Sequence, residues 1–172
     1  FIKAGAKIAT NKASVFKKSK IICSLNEINI FKKNASNTTV LNDMLYISFM
    51  NPLVNINFMK DIAETKVTSF AMEMIPRISR AQAIDALSSQ ANLAGYKAVI
   101  LGANKLKRIL PMLMSAAGTI SPAKVLILGV GVAGLQAIAT AKRLGAVVYG
   151  YDIREAVREQ VESLGGKFVK IK

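Results

Sequence analysis

Residues 124–134 read KVLILGVGVAG, and this stretch decides the fold. KVLIL (124–128) reads as a strand with no polar interruption. Gly129, Gly131 and Gly134 follow at once in the spacing G-x-G-x-x-G, and VAGLQAIATAKRLG continues as a helix. Each glycine has its own task. Gly129 permits a tight turn, Gly131 lets the backbone approach a pyrophosphate, and Gly134 lets the helix pack closely on the strand. A helix opening here also presents free N–H groups and the positive end of its dipole to an anion.

Downstream the pattern repeats. AVVYGY (146–151) reads as a second strand ending at Asp152, REAVREQVESLG as a second helix, and GKFVKI as a third strand. The result is a βαβαβ run. Asp152 stands 18 residues after Gly134, at the tip of the second strand, where a carboxylate accepts from a ribose 2′-hydroxyl and repels a 2′-phosphate. The candidate dinucleotide set is Gly129, Val130, Gly131, Val132, Ala133 and Gly134 in the turn, with Asp152, Ile153 and Arg154 after the second strand. NAD is favoured over NADP. Two alternatives stay open: Asp152 with Glu155 has the D-x-x-E form of a helix cap, and Arg154 is a residue able to hold a 2′-phosphate.

Upstream, KIICSL (20–25), MLYISFM (44–50) and VTSFAM (67–72) read as short buried strands, and NINFMKDIAE (55–64) as a helix between two of them. Strand, helix, strand at this rhythm indicates an α/β fold with a parallel sheet. A long helix is expected from near Ser79, with Ser79 and Gln82 in capping-box spacing and Ile84, Leu87, Ala91, Ala94, Ala98 and Leu101 forming its buried face. A second helical stretch is expected over 104–117, broken at Pro111. GTISPAK (118–124) marks the boundary before the glycine turn. The expected organisation is residues 1–78 as the C-terminal part of a first α/β subdomain, 79–120 as connecting helices, and 121–172 as the N-terminal half of a Rossmann subdomain.

The totals exclude several classes. The sequence has no histidine, which removes His-based catalysis and nearly every zinc site from this segment. One cysteine, Cys23, permits no internal disulfide. The net charge is +14, and residues 1–60 carry nine lysines against only Glu27 and Asp43. Those lysines are scattered among Asn and Ile with no aromatic platform, so compositional drift accounts for them better than a nucleic-acid surface does. Val125–Ala141 is uncharged but interrupted by three glycines and Gln136, and is too short for a membrane span. Phe1 in place of an initiator Met, and a sequence stopping straight after KFVKIK, suggest a piece of a longer protein.

One further stretch, PRISRAQAIDALSSQANLAGY (76–96), places Gln82, Asp85, Ser88, Ser89 and Asn92 along one side of the expected helix. Short neutral or singly acidic groups are an unusual choice for a face meant only for water. The bland reading is a cap, a carboxylate favourably placed at a helix N-terminus, and solvent-facing serines.

PRISRAQAIDALSSQANLAGYKAV, PMLMSAAGTISPAKVLILGVGVAGLQAIATAKRLGAVV and EQVESLGGKF together resemble the NAD(H)-binding component, domain I, of proton-translocating NAD(P) transhydrogenases. The resemblance is strong from about Val67 onward and weaker over residues 1–66, where AGAKIA and YISFMNP fit the first subdomain. It implies two Rossmann-like subdomains joined by long helices, both incomplete in this chain. It implies an oxidoreductase that passes hydride from NAD(H) directly to NADP(H) on a partner domain outside this chain, coupled to proton translocation by a membrane domain. It places Arg77, Gln82, Asp85 and Ser88 around the nicotinamide, with Gln82 also facing the partner's nucleotide. No metal is implied. A peripheral position on an energy-transducing membrane and a homodimer are further expectations, and no nucleic acid is expected.

The nearest rival is an alanine-dehydrogenase-like enzyme on the same fold. That chemistry interconverts an amine and a ketone and needs proton-handling groups. By alignment its histidine is replaced by Phe49, and Cys23 and Leu25 lie near the place of its lysine. A non-catalytic NAD-binding subunit and a basic nucleic-acid module are the remaining classes. The latter predicts binding that falls steeply with salt and ignores Asp152.

Overall fold

The computed structural model describes residues 1–28, 31 and 43–170. These residues form two compact units, Phe1–Ala86 and Leu87–Lys172.

In the first unit, α1 (Lys12–Lys18) opens on Asn11, whose side chain accepts the Ser14 N–H at 2.9 Å, and ends on Lys17 and Lys18, which suit the negative end of its dipole. β1 (Ile21–Cys23), β2 (Leu45–Ser48), α2 (Ile56–Ala63) and β3 (Thr68–Ala71) come next. The strands form one parallel sheet in the order β1-β2-β3, with Ile22 opposite Tyr46 and Tyr46 opposite Ser69. Phe58 and Ile62, four apart on α2, join Phe16, Ile22, Phe31, Met44, Tyr46 and Met50 in the core. The Phe31 ring packs 5.0 Å from Tyr46 and 5.8 Å from Phe58, centroid to centroid. The hydroxyls at this end of the sheet pair with one another: Ser24 Oγ lies 2.8 Å from the Tyr46 hydroxyl and donates to Ser48 Oγ at 3.0 Å.

α3 (Ala86–Lys105) leads into the second unit, followed by β4 (Leu113–Ser115) and β5 (Gly118–Ile120), an antiparallel hairpin. Then come β6 (Lys124–Leu128), α4 (Val132–Arg143), β7 (Val147–Tyr151), α5 (Arg158–Ser163) and β8 (Lys167–Phe168). β6, β7 and β8 are parallel neighbours in that order, with Val125 opposite Val148 and Gly150 opposite Phe168. Val130, Ile138, Ala141, Val148 and Val161 fill the space between sheet and helices. Burying a residue of this size stabilises by roughly 1.5–3 kcal/mol, enough for a few such side chains to fix the α4 packing. The fold is α/β with parallel, Rossmann-like sheets, as expected. Among the described residues, no helix is long and apolar enough to cross a membrane.

Three expectations are corrected. Ser79–Ile84 is a 3₁₀ helix, not the start of α3; its N-cap is Ile78 and carries no side-chain cap bond, so the Ser79–Gln82 box does not form. Asp85 interrupts the path with φ −76° and ψ 77°, outside helical geometry, and the α-helix begins only at Ala86. The buried face of α3 is also different. Gly95 and Val99 are buried with Ala91 and Ala103 half-buried, at a spacing of four, whereas Leu87, Ala94, Ala98 and Leu101 are exposed. Finally, residues 104–117 are not a second helix. α3 ends at Lys105, Pro111 cannot donate to a helical ladder, and Leu113–Ile120 turns back as the hairpin. Ile171 and Lys172, the end of the last predicted strand, lie outside the described residues.

Candidate functional site: the glycine turn and the end of β7

β6 ends at Leu128, and the chain turns through Gly129 at φ +85°, a conformation that favours glycine. The Gly129 N–H donates to the Tyr151 carbonyl at 2.8 Å, which ties the turn to the end of β7. Gly131 is the N-cap of α4 and has no side chain with which to close the helix end. The first amides of a helix have no partner within it, so Val132, Ala133 and Gly134 present N–H groups at this terminus. A Cβ at Gly131 would meet nothing within 4 Å. The absence of a side chain therefore leaves open room directly beside those amides.

Gly134 is different. A Cβ there would lie 2.0 Å from the Gly129 carbonyl oxygen, so only glycine lets α4 approach the turn this closely. Gly95 makes a second approach of the same kind: a Cβ on it would lie 2.1 Å from the Ala133 carbonyl oxygen. The middle of α3 thus packs against the first turn of α4. Periodicity gave no sign of this, because a glycine inside a helical pattern reads only as a weakness. Val130, placed in the candidate set, contributes through its backbone; its side chain is buried in the core.

Asp152 joins the two ends. Its Oδ2 accepts the Val130 N–H at 2.8 Å, and its Oδ1 accepts the Arg154 N–H at 2.9 Å. The Arg154 guanidinium folds back onto it, with Nε 3.0 Å from Oδ1 and Nη2 3.2 Å from Oδ2. The Arg154 side chain, then the two amides, hold the carboxyl far below the usual carboxylate range, and Asp152 raises the Arg154 guanidinium in turn. Only 7% of the Asp152 side chain is exposed, against 59% of Arg154. Asp152 does not cap the 3₁₀ turn Glu155–Val157, which has Arg154 as its N-cap and no side-chain cap bond. Ile153 is 89% exposed beside this carboxylate, an apolar side chain left in water.

The family model described as alanine dehydrogenase/PNT, N-terminal domain, matches residues 1–94, and the corresponding C-terminal domain model matches residues 98–172. The chain belongs to the alanine dehydrogenase/PNT family. It is 47% identical over 169 residues to a protein of Rhodospirillum rubrum named as the first part of the NAD(P) transhydrogenase alpha subunit, covering 98% of this chain and 44% of that protein. The crystal structure of a transhydrogenase from Sinorhizobium meliloti matches with a TM-score of 0.82 and 46% identity, over 99% of this chain and 48% of that one. An L-alanine dehydrogenase structure shares the fold at a TM-score of 0.73 and 19% identity, over 99% of this chain and 47% of that one. This family member therefore spans about half the length of the relatives it matches.

Of the residues predicted for the site, the nine around the glycine turn and the end of β7 all fall in the second unit. The second predicted group is spread along the sequence in a different way. Arg77 is exposed between β3 and the 3₁₀ helix, Gln82 is exposed on that helix, and Asp85 is half-buried at its end. All three belong to the first unit, whereas Ser88, half-buried in the first turn of α3, belongs to the second. Gln82, Asp85 and Ser88 do not share one helix. Along the sequence Gly95 reads only as a weak point in a helix and Glu155 only as a cap partner of Asp152, and Arg158 and Lys170 carry no signal at all.

Proposed function

We propose that this chain is the NAD(H)-binding part of an NAD(P) transhydrogenase, in which hydride passes directly between NADH and NADP+. The observation that carries the reading is the pairing of open room over Gly131 with a carboxylate held on the same turn by the Val130 amide. These residues suit a dinucleotide. The α4 amides meet the pyrophosphate charge, Asp152 accepts from the adenosine ribose once Arg154 swings aside, and Ile153 offers apolar cover to a flat base. When bound, the nicotinamide supplies the hydride. Arg77, Gln82, Asp85 and Ser88 orient that ring and its ribose and limit water around it, which is what transfer between two nicotinamides asks of a protein. NADP(H) sits on a partner domain, and proton translocation belongs to a membrane domain of the same complex. This chain stands at the membrane surface, as one half of a homodimer.

Alanine dehydrogenase chemistry is the second reading, favoured by the shared family and fold. Against it, the sequence has no histidine, and proton transfer at an amine carbon needs a group that titrates near neutrality. The deciding experiment supplies NADH to membranes carrying the complete gene product, then adds either an NADP+ analogue or pyruvate with ammonium. Reduction of the analogue establishes transhydrogenation. Oxidation only with pyruvate and ammonium overturns it in favour of the second reading.

A further inference from the structure

A cavity of about 180 Å³ opens beside Asp152, between the ends of β7 and β8, with Glu155 and Lys170 in its wall. Lys170 Nζ lies 2.5 Å from Glu155 Oε1, and Arg158 Nη2 lies 3.2 Å from the same oxygen. The Arg158 guanidinium also stands over the Phe168 ring, 5.4 Å from its centroid. On the opposite side Arg154 is folded onto Asp152. Lys170 is thus the cation in the cavity wall, Arg154 and Arg158 reach it through the wall carboxylates they pair with, and each of the three is answered by a carboxylate: Arg154 by Asp152, Lys170 and Arg158 by Glu155.

A phosphate on the ribose 2′-oxygen would enter the space beside Asp152, because that oxygen is the one a carboxylate at this strand end accepts from. Asp152 alone is a weak guard there. Repulsion from one carboxylate competes with three neighbouring cations, and Lys170 sits on a flexible stem that is able to turn toward any anion nearby. The chain as a whole is also strongly basic, at +14, which draws in the more anionic dinucleotide.

We propose that Glu155 is a specificity-determining residue: by engaging Lys170 and Arg158 it withholds the cations that would otherwise bind a 2′-phosphate, and so keeps NADP(H) out of the NAD(H) site. This rests on the dinucleotide reading above. It matters for that reading, since a site that hands hydride to NADP+ is short-circuited if NADP(H) also occupies it. Lys170 holds the Glu155 carboxyl below its usual range, so the clamp stays charged at neutral pH.

The test measures dissociation constants for NADH and NADPH on the complete gene product, by the change in nicotinamide fluorescence, for the wild type, Glu155→Gln, Lys170→Met and the double variant. Glu155 is 63% exposed and its ion pairs lie at the surface, so these variants fold. Glu155→Gln should tighten NADPH binding roughly tenfold while NADH changes by less than about twofold, since only the 2′-phosphate meets the released charges. Raising salt should erase most of the gain. Lys170→Met alone should leave both constants near the wild type, and adding it to Glu155→Gln should take back part of the gain, with the released Arg158 carrying the rest. An unchanged NADH-to-NADPH ratio in Glu155→Gln, or a gain that raised salt leaves intact, overturns the role of Glu155 and leaves the NAD(H) site standing. A wild type that binds neither nucleotide overturns the dinucleotide reading itself, and this proposal with it.

Discussion

The backbone amide of Val130 donates to Asp152 Oδ2 across 2.8 Å, so the carboxylate at the end of β7 is built into the turn after β6. One residue thus serves both the shape of the turn and the proposed ribose contact. Asp152→Ala should cost about tenfold or more in NADH affinity, as expected when a charged acceptor is lost, and lower the melting temperature by only a few degrees. Calorimetric titration and a thermal melt on the same sample separate the two effects. Equal losses in both would reduce Asp152 to a support for the turn.

The two later glycines of the fingerprint should fail in opposite ways. Gly131→Val adds a Cβ where nothing lies within 4 Å and extends from it into the room beside the α4 amides, so the protein should fold normally and lose NADH binding. Gly134→Ala drives a Cβ to within 2.0 Å of the Gly129 carbonyl and should destabilise by about 1–3 kcal/mol in a denaturant melt, because backbone has to move to admit it. Retained NADH affinity in Gly131→Val would move the pyrophosphate elsewhere.

Acid should remove the Asp152 contribution in a predictable direction. Its folded-state carboxyl is depressed, so the unfolded chain binds the extra proton first. The contribution is complete at neutral pH and is lost as pH falls from about 4 downward. Denaturant melts of the wild type and Asp152→Asn, taken at neutral and acid pH, should converge at the acid end. Glu155 shifts the same way through Lys170 and adds to the trend.

Asp85→Asn is the variant that tests the proposed nicotinamide group. It keeps size and hydrogen-bonding capacity and removes one charge, so NADH should still bind while the rate of hydride transfer falls. Stopped-flow measurement of the transfer step distinguishes the two. Transfer at the wild-type rate would take Asp85 out of that group.

The glycine turn was legible because three requirements coincide in a few residues: an unbroken apolar strand, glycines at fixed spacing and a carboxylate at the next strand end. Leu113–Ile120 was not legible, because its two-residue hairpin loop is Ala116–Ala117, and such loops are usually announced by Asn-Gly or a second glycine. Nor was the late start of α3. SRAQAIDAL has helical apolar spacing throughout, and only the backbone of Asp85 leaves the helical region, as short acidic side chains that compete with local backbone bonds permit. The contact of Gly95 with Ala133 and the grip of Glu155 on Lys170 are tertiary facts, and a pattern along one dimension carries no trace of them.

Gly95 also sets a gauge. Its contact with the Ala133 carbonyl pins the middle of α3 to the first turn of α4. Ser88 lies seven residues upstream in α3, close to two full helical turns, and so on nearly the same side of the helix as Gly95. Inserting one residue between them would swing Ser88 by about 100° around the axis and push it about 1.5 Å along it, while leaving the anchor in place. The stretch from Ser88 to Gly95 therefore tolerates exchange of its exposed side chains far better than any change in its length.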